Sequence, residues 1–164
     1  MIKLFLTDVD GTLTDGVYST NEEGVVCKNF YTRDFHGLHI LKETGVEIGI
    51  ISYSKDCVIN KQCDRAAQYA KVMTGVKDKL KFITDHVKKG LEWDEIAYIG
   101  DDTVDEELLL KVGIPACPLD AHYSVLSLIN EHKEGFLSKF CGGKGAVRDF
   151  AEYIIALNSA IKEK

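Results

Sequence analysis

Short apolar runs alternate with amphipathic segments along most of this 164-residue chain. Apolar runs that end at glycine or polar residues predict buried strands, and apolar residues every three or four positions predict helices. Strands are expected near 2–8, 46–51, 68–73, 96–100 and 114–117, and helices near 34–44, 55–66, 77–90, 103–112, 121–131 and 145–162. This alternation is typical of an α/β fold with a parallel sheet and helices on both faces.

The segment between the first strand and the first helix departs from this alternation. Two β-prone runs within residues 17–31 flank a polar turn that contains Gly24, and this pattern predicts a β-hairpin. Because the hairpin follows the first strand, we expect it to project beside that strand's carboxyl end as a flap. With 45% hydrophobic residues, the chain suffices for one domain over 1–164 and leaves no room for a separate cap domain.

Carboxylates follow two of the predicted strands at their carboxyl ends. Asp8 and Asp10 close the first apolar run, and Asp101 follows the run 96–99 after Gly100. Ligand sites of open α/β sheets gather outside the carboxyl ends of the strands, so these three acids are expected to surround one point. Oxygen ligands with room for water suit a hard cation such as Mg²⁺. Taken alone, Asp8 and Asp10 have an alternative explanation, a solvent-exposed acidic turn that binds no metal.

Other polar residues fall where they can serve the same site. Asp102 and Asp105 follow the second acidic strand end and either support the metal ligands or favour the start of the next helix. Lys79 lies between the two acidic strand ends, where an ammonium group can hold a phosphate and offset carboxylate repulsion; a solvated surface lysine is the alternative. Ser52 follows the strand near 46–51 and can donate a hydrogen bond to a phosphate oxygen.

The ordered motifs DxDGT, Ser, Lys and GDDxxD resemble those of the haloacid dehalogenase (HAD) superfamily of aspartate-nucleophile phosphatases, which has a Rossmann-like fold. Roughly residues 1–150 resemble the small capless subclass that includes 3-deoxy-D-manno-octulosonate 8-phosphate phosphatase. Three further stretches support this subclass, namely TRD at 32–34, DAH at 120–122 and GGKGAVR at 142–148.

The resemblance implies Mg²⁺-dependent hydrolysis of a small phosphorylated sugar acid, with 3-deoxy-D-manno-octulosonate 8-phosphate as the first choice. Nine-carbon 2-keto-3-deoxy sugar acid 9-phosphates, of KDN or an N-acylneuraminate, are the alternative substrates. A phosphotransferase is another alternative. It differs from a phosphatase only in the acceptor molecule, other than water, that takes the phosphoryl group from the covalent enzyme intermediate. A different class also stays open, a non-catalytic assembly domain like the one appended to some acylneuraminate cytidylyltransferases.

The resemblance also implies a role for each residue of the core motifs. Asp8 attacks phosphorus to form an aspartyl-phosphate, while Asp10 protonates the leaving oxygen and then accepts a proton from the attacking water. Mg²⁺ is held by the carboxylates of Asp8 and Asp101 and by the backbone carbonyl of Asp10. Lys79 and Ser52 bind the remaining phosphate oxygens and complete the set of catalytic residues.

Basic residues outside the core motifs are the candidates for binding the sugar acid. The glycine run 142–145 precedes a predicted helix and forms a possible anion-binding corner with Lys144 and Arg148; a flexible loop with a solvated basic helix start is the alternative. Arg33 is expected to contact the substrate or a subunit interface. Asp34 either shares that role or is an ordinary acid at the start of a helix.

Two positions depart from the pattern of the resembled subclass. Relatives carry a glycine and then an arginine or glutamate after the motif hydroxyl, whereas this chain has Tyr53 and Ser54. A further arginine, offered across subunits to the substrate carboxylate, aligns with Gln62 here. Arg65 lies one helical turn beyond and is the candidate to replace it. The chemistry is therefore expected to match the subclass more closely than the specificity does.

Charge and composition limit the classes of partner that we expect this protein to bind. The formal net charge of −6 gives no reason to expect nucleic acid or an anionic membrane. No apolar run approaches the roughly 20 residues that span a bilayer, and no secretory signal is recognisable, so a cytoplasmic location is expected. The five cysteines lack CxxC spacing and are expected to be reduced thiols. Because a hairpin alone leaves the site wet, we expect a neighbouring subunit to complete the lid in a homotetramer, as in the resembled subclass.

Overall fold

The computed structural model describes residues 1–55, 61, 64, 66–88 and 90–163. Within these residues the main sheet consists of β1 (Leu4–Thr7), β4 (Glu47–Ile51), β5 (Lys71–Met73), β6 (Ile96–Ile99), β7 (Ile114–Cys117) and β8 (Phe136–Leu137). The spatial order is β5-β4-β1-β6-β7-β8, and each neighbouring pair is parallel. The predicted α/β fold is therefore confirmed, with β8 as a short addition that the apolar pattern did not predict.

The central strand β1 lies between β4 and β6, and all four of its residues are buried. Its side chains alternate between the two faces, so Phe5 joins one apolar cluster and Leu6 joins the other. A parallel sheet covered on both faces accounts for the continuous apolar runs of its strands. Thr7 pairs with Ile50 of β4 and with Ile99 of β6, so the carboxyl ends of these three strands meet at one edge.

Helices pack on both faces of the sheet. Their bounds are Thr32–Glu43 for α1, Lys79–Phe82 for α2, Glu106–Leu109 for α3, Tyr123–Glu131 for α4 and Ala146–Lys162 for α5. Residues of α1 and α5 belong to the apolar cluster that contains Phe5, and residues of α3 and α4 belong to the cluster that contains Leu6. The predicted helix over 55–66 falls mostly on residues outside the described part of the chain.

The predicted helix over 77–90 differs from a regular α-helix in the structure. It begins at α2, where the Asp78 carboxylate accepts a hydrogen bond from the backbone N–H of Lys81 at 2.8 Å. A π-helical turn over Ile83–Val87 follows directly. In this turn the Thr84 hydroxyl donates to the Leu80 carbonyl at 2.8 Å, a local bond that apolar spacing does not reveal.

The predicted hairpin is confirmed as two antiparallel strands, β2 (Thr14–Asn21) and β3 (Gly24–Phe30). β2 begins three residues earlier than the predicted segment 17–31, so the hairpin grows directly out of the loop after β1. From residue 16 onward β2 is exposed, which shows that most of the hairpin projects away from the main sheet.

The described residues bear on two expectations, the lack of a membrane-spanning segment and the reduced state of the cysteines. No helix within the described residues is both long enough and apolar enough to cross a membrane. Cys27, Cys117 and Cys141 are free thiols. The cysteines at 57 and 63 lie outside the described residues.

Candidate active site

The carboxyl ends of β1 and β6 place two predicted metal ligands side by side. Asp8 follows β1, and its backbone N–H donates to the Ile99 carbonyl at 2.9 Å. Asp101 follows β6, and its Oδ1 accepts a hydrogen bond from the Thr12 hydroxyl at 3.0 Å. Carboxylate oxygens of Asp8, Asp101 and Asp105 lie within 4.8 Å of one another. We call these three residues the acidic cluster.

Lys79 inserts its ammonium group between two members of the acidic cluster. Its Nζ donates to Asp8 Oδ1 and to Asp105 Oδ1, both at 2.5 Å, and to the Tyr98 hydroxyl at 3.1 Å. Tyr98 in turn donates its hydroxyl to Asp105 Oδ1. Only 1% of the Lys79 side chain is exposed, which excludes the solvated surface lysine that the sequence left open. A buried ammonium is tolerated here because two carboxylates pair with it.

Asp105 is buried, and both of its carboxylate oxygens accept hydrogen bonds. Oδ1 accepts from Lys79, and Oδ2 accepts from the backbone N–H groups of Asp101 at 3.0 Å and Asp102 at 3.2 Å. Its role is therefore to fix Lys79 and the Asp101 loop in place. Asp105 is also the last residue of a 3₁₀ turn, Thr103–Asp105, whose N-cap backbone N–H its carboxylate binds, and the predicted helix over 103–112 is α-helical only in α3.

Burial and mutual repulsion set the protonation of the acidic cluster. Desolvation, followed by the charges of Asp8 and Asp105, raises the pKa of Asp101 from 3.8 to about 8. Desolvation also raises the pKa of Asp8 from 3.8 to about 7, although the Lys79 ammonium group acts to lower it. Burial acts to lower the pKa of Lys79, but attraction by Asp8 and Asp105 outweighs it and raises that pKa, so the lysine stays charged.

The charge balance of the acidic cluster fits a divalent cation. With every group ionised, three carboxylates and the Lys79 ammonium group carry a net charge of −2. Lys79 donates to Oδ1 of Asp8, and Thr12 donates to Oδ1 of Asp101, and each carboxylate has further lone pairs that a cation can use. Hard oxygen ligands of this kind suit Mg²⁺. The expected metal ligands Asp8 and Asp101 thus have the right chemistry and spacing.

Glycine backbones hold the loop after β1 close to Asp101. Gly11 has a φ of +84°, and a Cβ atom there would lie 2.0 Å from Asp101 Oδ2. A Cβ atom on Gly142 would lie 1.9 Å from the Gly11 carbonyl oxygen. The Gly143 N–H donates to the Thr12 carbonyl at 2.9 Å. The glycine run, which the sequence offered as an anion-binding corner, therefore packs against the backbone that carries the site.

The same fold recurs in solved structures. The chain is 32% identical to a HAD superfamily (subfamily III A) hydrolase from Legionella pneumophila, over 94% of this chain and 82% of that one, with a TM-score of 0.85. It is 31% identical to a 3-deoxy-D-manno-octulosonate 8-phosphate phosphatase from Moraxella catarrhalis, over 94% and 86% of the two chains, with a TM-score of 0.84. The chain belongs to the HAD superfamily. That Moraxella structure contains a magnesium ion, a phosphate ion and a KDO molecule.

Two further comparisons agree with this membership. A 3-deoxy-D-manno-octulosonate 8-phosphate phosphatase from Escherichia coli K12 is 27% identical over 163 residues, which are 99% of this chain and 84% of the relative. The cobalt-bound Haemophilus influenzae phosphatase is 28% identical over 94% of this chain and 88% of that one, with a TM-score of 0.84. No protein-family model matches the chain. As a HAD phosphatase, the chain is a phosphoric monoester hydrolase.

Ser52 lies at the carboxyl end of β4, the neighbour of β1, and only 1% of it is exposed. Its backbone N–H donates to the Met73 carbonyl at 2.9 Å, and its Oγ accepts from the Ser54 N–H at 3.1 Å. The hydroxyl hydrogen can therefore serve a phosphate oxygen, as predicted for a HAD phosphatase. Tyr53, which replaces the glycine of the resembled subclass, is exposed beside it.

The carboxylate of Asp10 turns toward the hairpin. Its Oδ1 accepts from Lys28 Nζ on β3 at 2.6 Å, a contact that no local sequence pattern reveals. Next along β3, the Asn29 side chain donates to Asp15 Oδ2 at 3.2 Å. The base of the hairpin is therefore seated on the loop after β1. The backbone carbonyl of Asp10, the predicted metal ligand, belongs to that same loop.

Three of the four residues predicted to bind the sugar acid line one cleft. Arg33, Lys144 and Arg148 border a volume of about 510 Å³ between the starts of α1 and α5. The Arg148 guanidinium also pairs with Glu152, with Nε 2.6 Å from Oε1. Arg65 lies outside the described residues. We call this volume the basic cleft.

The start of α5 is capped by an acid from the other end of the chain. Asp34 Oδ1 accepts from the Arg148 N–H at 2.8 Å, and Oδ2 accepts from the Gly145 N–H at 3.3 Å. Burial raises the pKa of Asp34 to about 6, against the lowering effect of these bonds. The backbone N–H groups that the sequence offered to a ligand anion thus already have partners: those of Gly142 and Gly145 donate to carboxylates, and those of Gly143 and Lys144 donate to backbone carbonyls. Ligand contacts predicted for this stretch are left to the side chains of Lys144 and Arg148.

Proposed function

We propose that this chain hydrolyses the phosphate monoester of a sugar acid through an aspartyl-phosphate formed on Asp8. The observation that carries the proposal is the buried contact of Asp8 with Lys79 inside the acidic cluster, at the carboxyl end of β1. The first-choice substrate is 3-deoxy-D-manno-octulosonate 8-phosphate, after which the Escherichia coli and Moraxella relatives are named. Enzymatic phosphoryl transfer rests mainly on positioning and electrostatics, which such a cluster supplies.

The proposed reaction has two balanced steps. An oxygen of Asp8 bonds to phosphorus while the bond from phosphorus to the sugar oxygen breaks, and Asp10 gives that leaving oxygen a proton. Water then attacks phosphorus, Asp10 takes back a proton, and the bond from phosphorus to Asp8 breaks to release phosphate. Lys79 orients the Asp8 carboxylate before the attack and, together with Ser52, binds the phosphoryl oxygens, which carry the negative charge in the intermediate.

The acidic cluster is the proposed site of Mg²⁺. The carboxylates of Asp8 and Asp101 and the backbone carbonyl of Asp10 are the groups that would hold it. When bound, the cation supplies charge neutralisation and orientation of the phosphoryl group. Asp105 contributes indirectly, since its hydrogen bonds fix the backbone of the Asp101 loop.

The basic cleft is the proposed binding region for the acid end of the substrate. Arg33, Lys144 and Arg148 supply guanidinium and ammonium groups that match a carboxylate. Arg65 stays a proposed substrate-binding residue. Tyr53 distinguishes this chain from the resembled subclass, which has glycine at that position. Tyr53 is 53% exposed beside Ser52, so the surroundings of the substrate differ from those in the subclass. Nine-carbon sugar acid 9-phosphates stay the second candidate.

The hairpin supports the proposal of a homotetramer. A two-stranded hairpin is at best marginally stable alone in water, and this one exposes 64% of Val17 and 57% of Tyr18. A neighbouring subunit packed on the hairpin would cover these residues and close the site. Light scattering after size exclusion tests this, because a fully active monomer would contradict it. Free thiols at Cys27, Cys117 and Cys141 are compatible with the proposed cytoplasmic location.

Phosphate release from a panel of sugar phosphates tests the proposed function. Wild type is expected to need Mg²⁺, and Asp8→Asn is expected to be inactive. Asp85→Asn, which changes an exposed acid outside the cluster, is the matched control and should retain activity. A preference of about a hundredfold in kcat/KM for one compound, near 2.7 kcal/mol, would identify the substrate.

The outcomes separate the alternative functions. A wild type no faster than Asp8→Asn would favour the assembly domain. Consumption of the phosphate ester without release of inorganic phosphate would favour phosphotransfer to a second acceptor.

A further inference from the structure

Lys28 of the hairpin contacts a residue of the proposed active site. Lys28 Nζ on β3 lies 2.6 Å from Asp10 Oδ1, and only 4% of the lysine side chain is exposed, compared with 37% of the Asp10 side chain. Tyr18, the residue paired with Lys28 across the hairpin, places its ring 5.8 Å from the same ammonium group. The hairpin thus encloses the lysine and brings its ammonium group to the Asp10 carboxylate.

This ion pair differs from an ordinary surface pair. Exposed pairs contribute little, because solvent screens them and two long side chains lose rotamer freedom. An ammonium group that is removed from water instead needs a close partner, and Asp10 provides it. The observed pairing therefore ties the position of the hairpin to the orientation of the Asp10 carboxyl group.

Orientation matters at Asp10 because of the reaction proposed above. An acid or base must lie within hydrogen-bond reach of the oxygen with which it exchanges a proton. Asp10 follows β1 in a loop and stands apart from the acidic cluster, so Lys79 does not hold its carboxylate. Lys28 is the described side chain that does so.

We infer that Lys28 is a positioning residue for Asp10, so that efficient turnover requires the hairpin to be seated on the loop after β1. This inference rests on the proposed function. It assigns to the flap a part in the chemistry, in addition to covering the site. Lys28 acts through Asp10 and forms no bond to phosphorus.

The test uses p-nitrophenyl phosphate with the Mg²⁺-loaded full-length protein. Nitrophenolate leaves readily without a proton, so formation of the aspartyl-phosphate should depend little on Asp10, whereas hydrolysis of that intermediate needs Asp10 as a base. Lys28→Ala should therefore release about one nitrophenolate per site in a fast burst. Its steady-state kcat should then be roughly 10- to 100-fold below wild type, with Asp10→Asn showing the same pattern.

Three further variants sharpen the test. Lys28→Arg keeps the cation and should recover part of kcat. Lys81→Ala removes an exposed lysine that is paired with Asp85, and it should behave as wild type. Asn29→Ala removes the neighbouring contact between the hairpin and Asp15 but keeps the Lys28–Asp10 pair, so it should lower the steady-state kcat much less than Lys28→Ala does. Hydrogen exchange of the hairpin amides reports whether each variant keeps the hairpin folded.

Several results would overturn the inference. Lys28→Ala would contradict it by matching wild type, by lowering burst and steady-state rates equally, or by raising KM alone, since the last result marks a substrate contact. If wild type is active and Asp8→Asn is inactive while Lys28→Ala is unchanged, only this inference fails. If wild type and Asp8→Asn are equally inactive, the proposed function fails and this inference fails with it.

Discussion

Raising the pH in the absence of metal should destabilise this protein through its acidic cluster. The folded-state pKa values of Asp8 and Asp101, about 7 and about 8, lie above the ordinary value of 3.8. At pH values between 3.8 and about 8, the folded state therefore binds more protons than the unfolded state, so the free energy of unfolding falls as the pH rises. Because Asp8 and Asp101 interact, we count one extra proton for the pair in the folded state. Each rise of one pH unit then lowers the free energy of unfolding by about 1.4 kcal/mol. From about pH 5 to about pH 7 the expected loss is about 3 kcal/mol.

Calorimetry or fluorimetry of thermal unfolding can measure this loss. A change of that size in a chain of this length corresponds to a decrease in Tm of roughly 6 to 12 °C. Tm is measured over a range of pH values in chelator and again in excess Mg²⁺. Other titrating groups contribute equally to both pH series, so the difference between them reports on the acidic cluster. A cation bound to the ionised carboxylates offsets their repulsion, so Mg²⁺ should stabilise little at low pH and increasingly as pH rises.

The control is Asp101→Asn, which removes one of the two carboxylates and should flatten the pH dependence in chelator. Parallel Tm profiles with and without Mg²⁺ would refute the reasoning, since they would show that the cluster neither retains protons nor exchanges them for a cation. A Tm that rises between about pH 5 and about pH 7 in chelator would refute the sign of the effect.

Three other substitutions test individual contacts. Asp105→Asn should cost about 3 kcal/mol in urea unfolding, because it breaks a buried ion pair, and should lower kcat. Gly142→Ala should lower kcat about 100-fold by displacing the loop at Gly11. Gly45→Ala, with open space around its Cβ position but a φ of +95°, should lower the stability and leave kcat unchanged. Asp34→Ala should destabilise by about 1 kcal/mol through loss of the α5 cap, and an unchanged urea midpoint would contradict that role.

The features that could be predicted from the sequence depend on local patterns. Apolar runs and their polar ends were sufficient for the parallel sheet, because a strand buried on both faces leaves a continuous apolar signature. The same run ends located Asp8 and Asp101 at neighbouring strand ends, where the structure brings their carboxylates together. The hairpin was predictable because its polar turn interrupts two β-prone runs.

The features that were missed depend on contacts between distant residues. Asp34 caps a helix whose N-cap residue, Gly145, lies 111 residues later in the chain, and nothing near either residue signals the pairing. Tyr98 sits within an apolar strand, so its hydroxyl contact with Lys79 was hidden by its hydrophobic neighbours. Lys28 is one polar residue among several in the hairpin, and only the folded hairpin directs it to Asp10.

Rapid-quench mass spectrometry of the Asp8 peptide is the most direct test of the central claim. Wild type mixed with Mg²⁺ and a sugar acid phosphate in slight excess is stopped in acid during the first turnover and then digested. A phosphoryl group is expected on the peptide that contains Asp8, formed and lost at rates consistent with turnover. Turnover with no phosphorylated Asp8, or with the phosphoryl group on a different residue, would show that Asp8 is not the nucleophile.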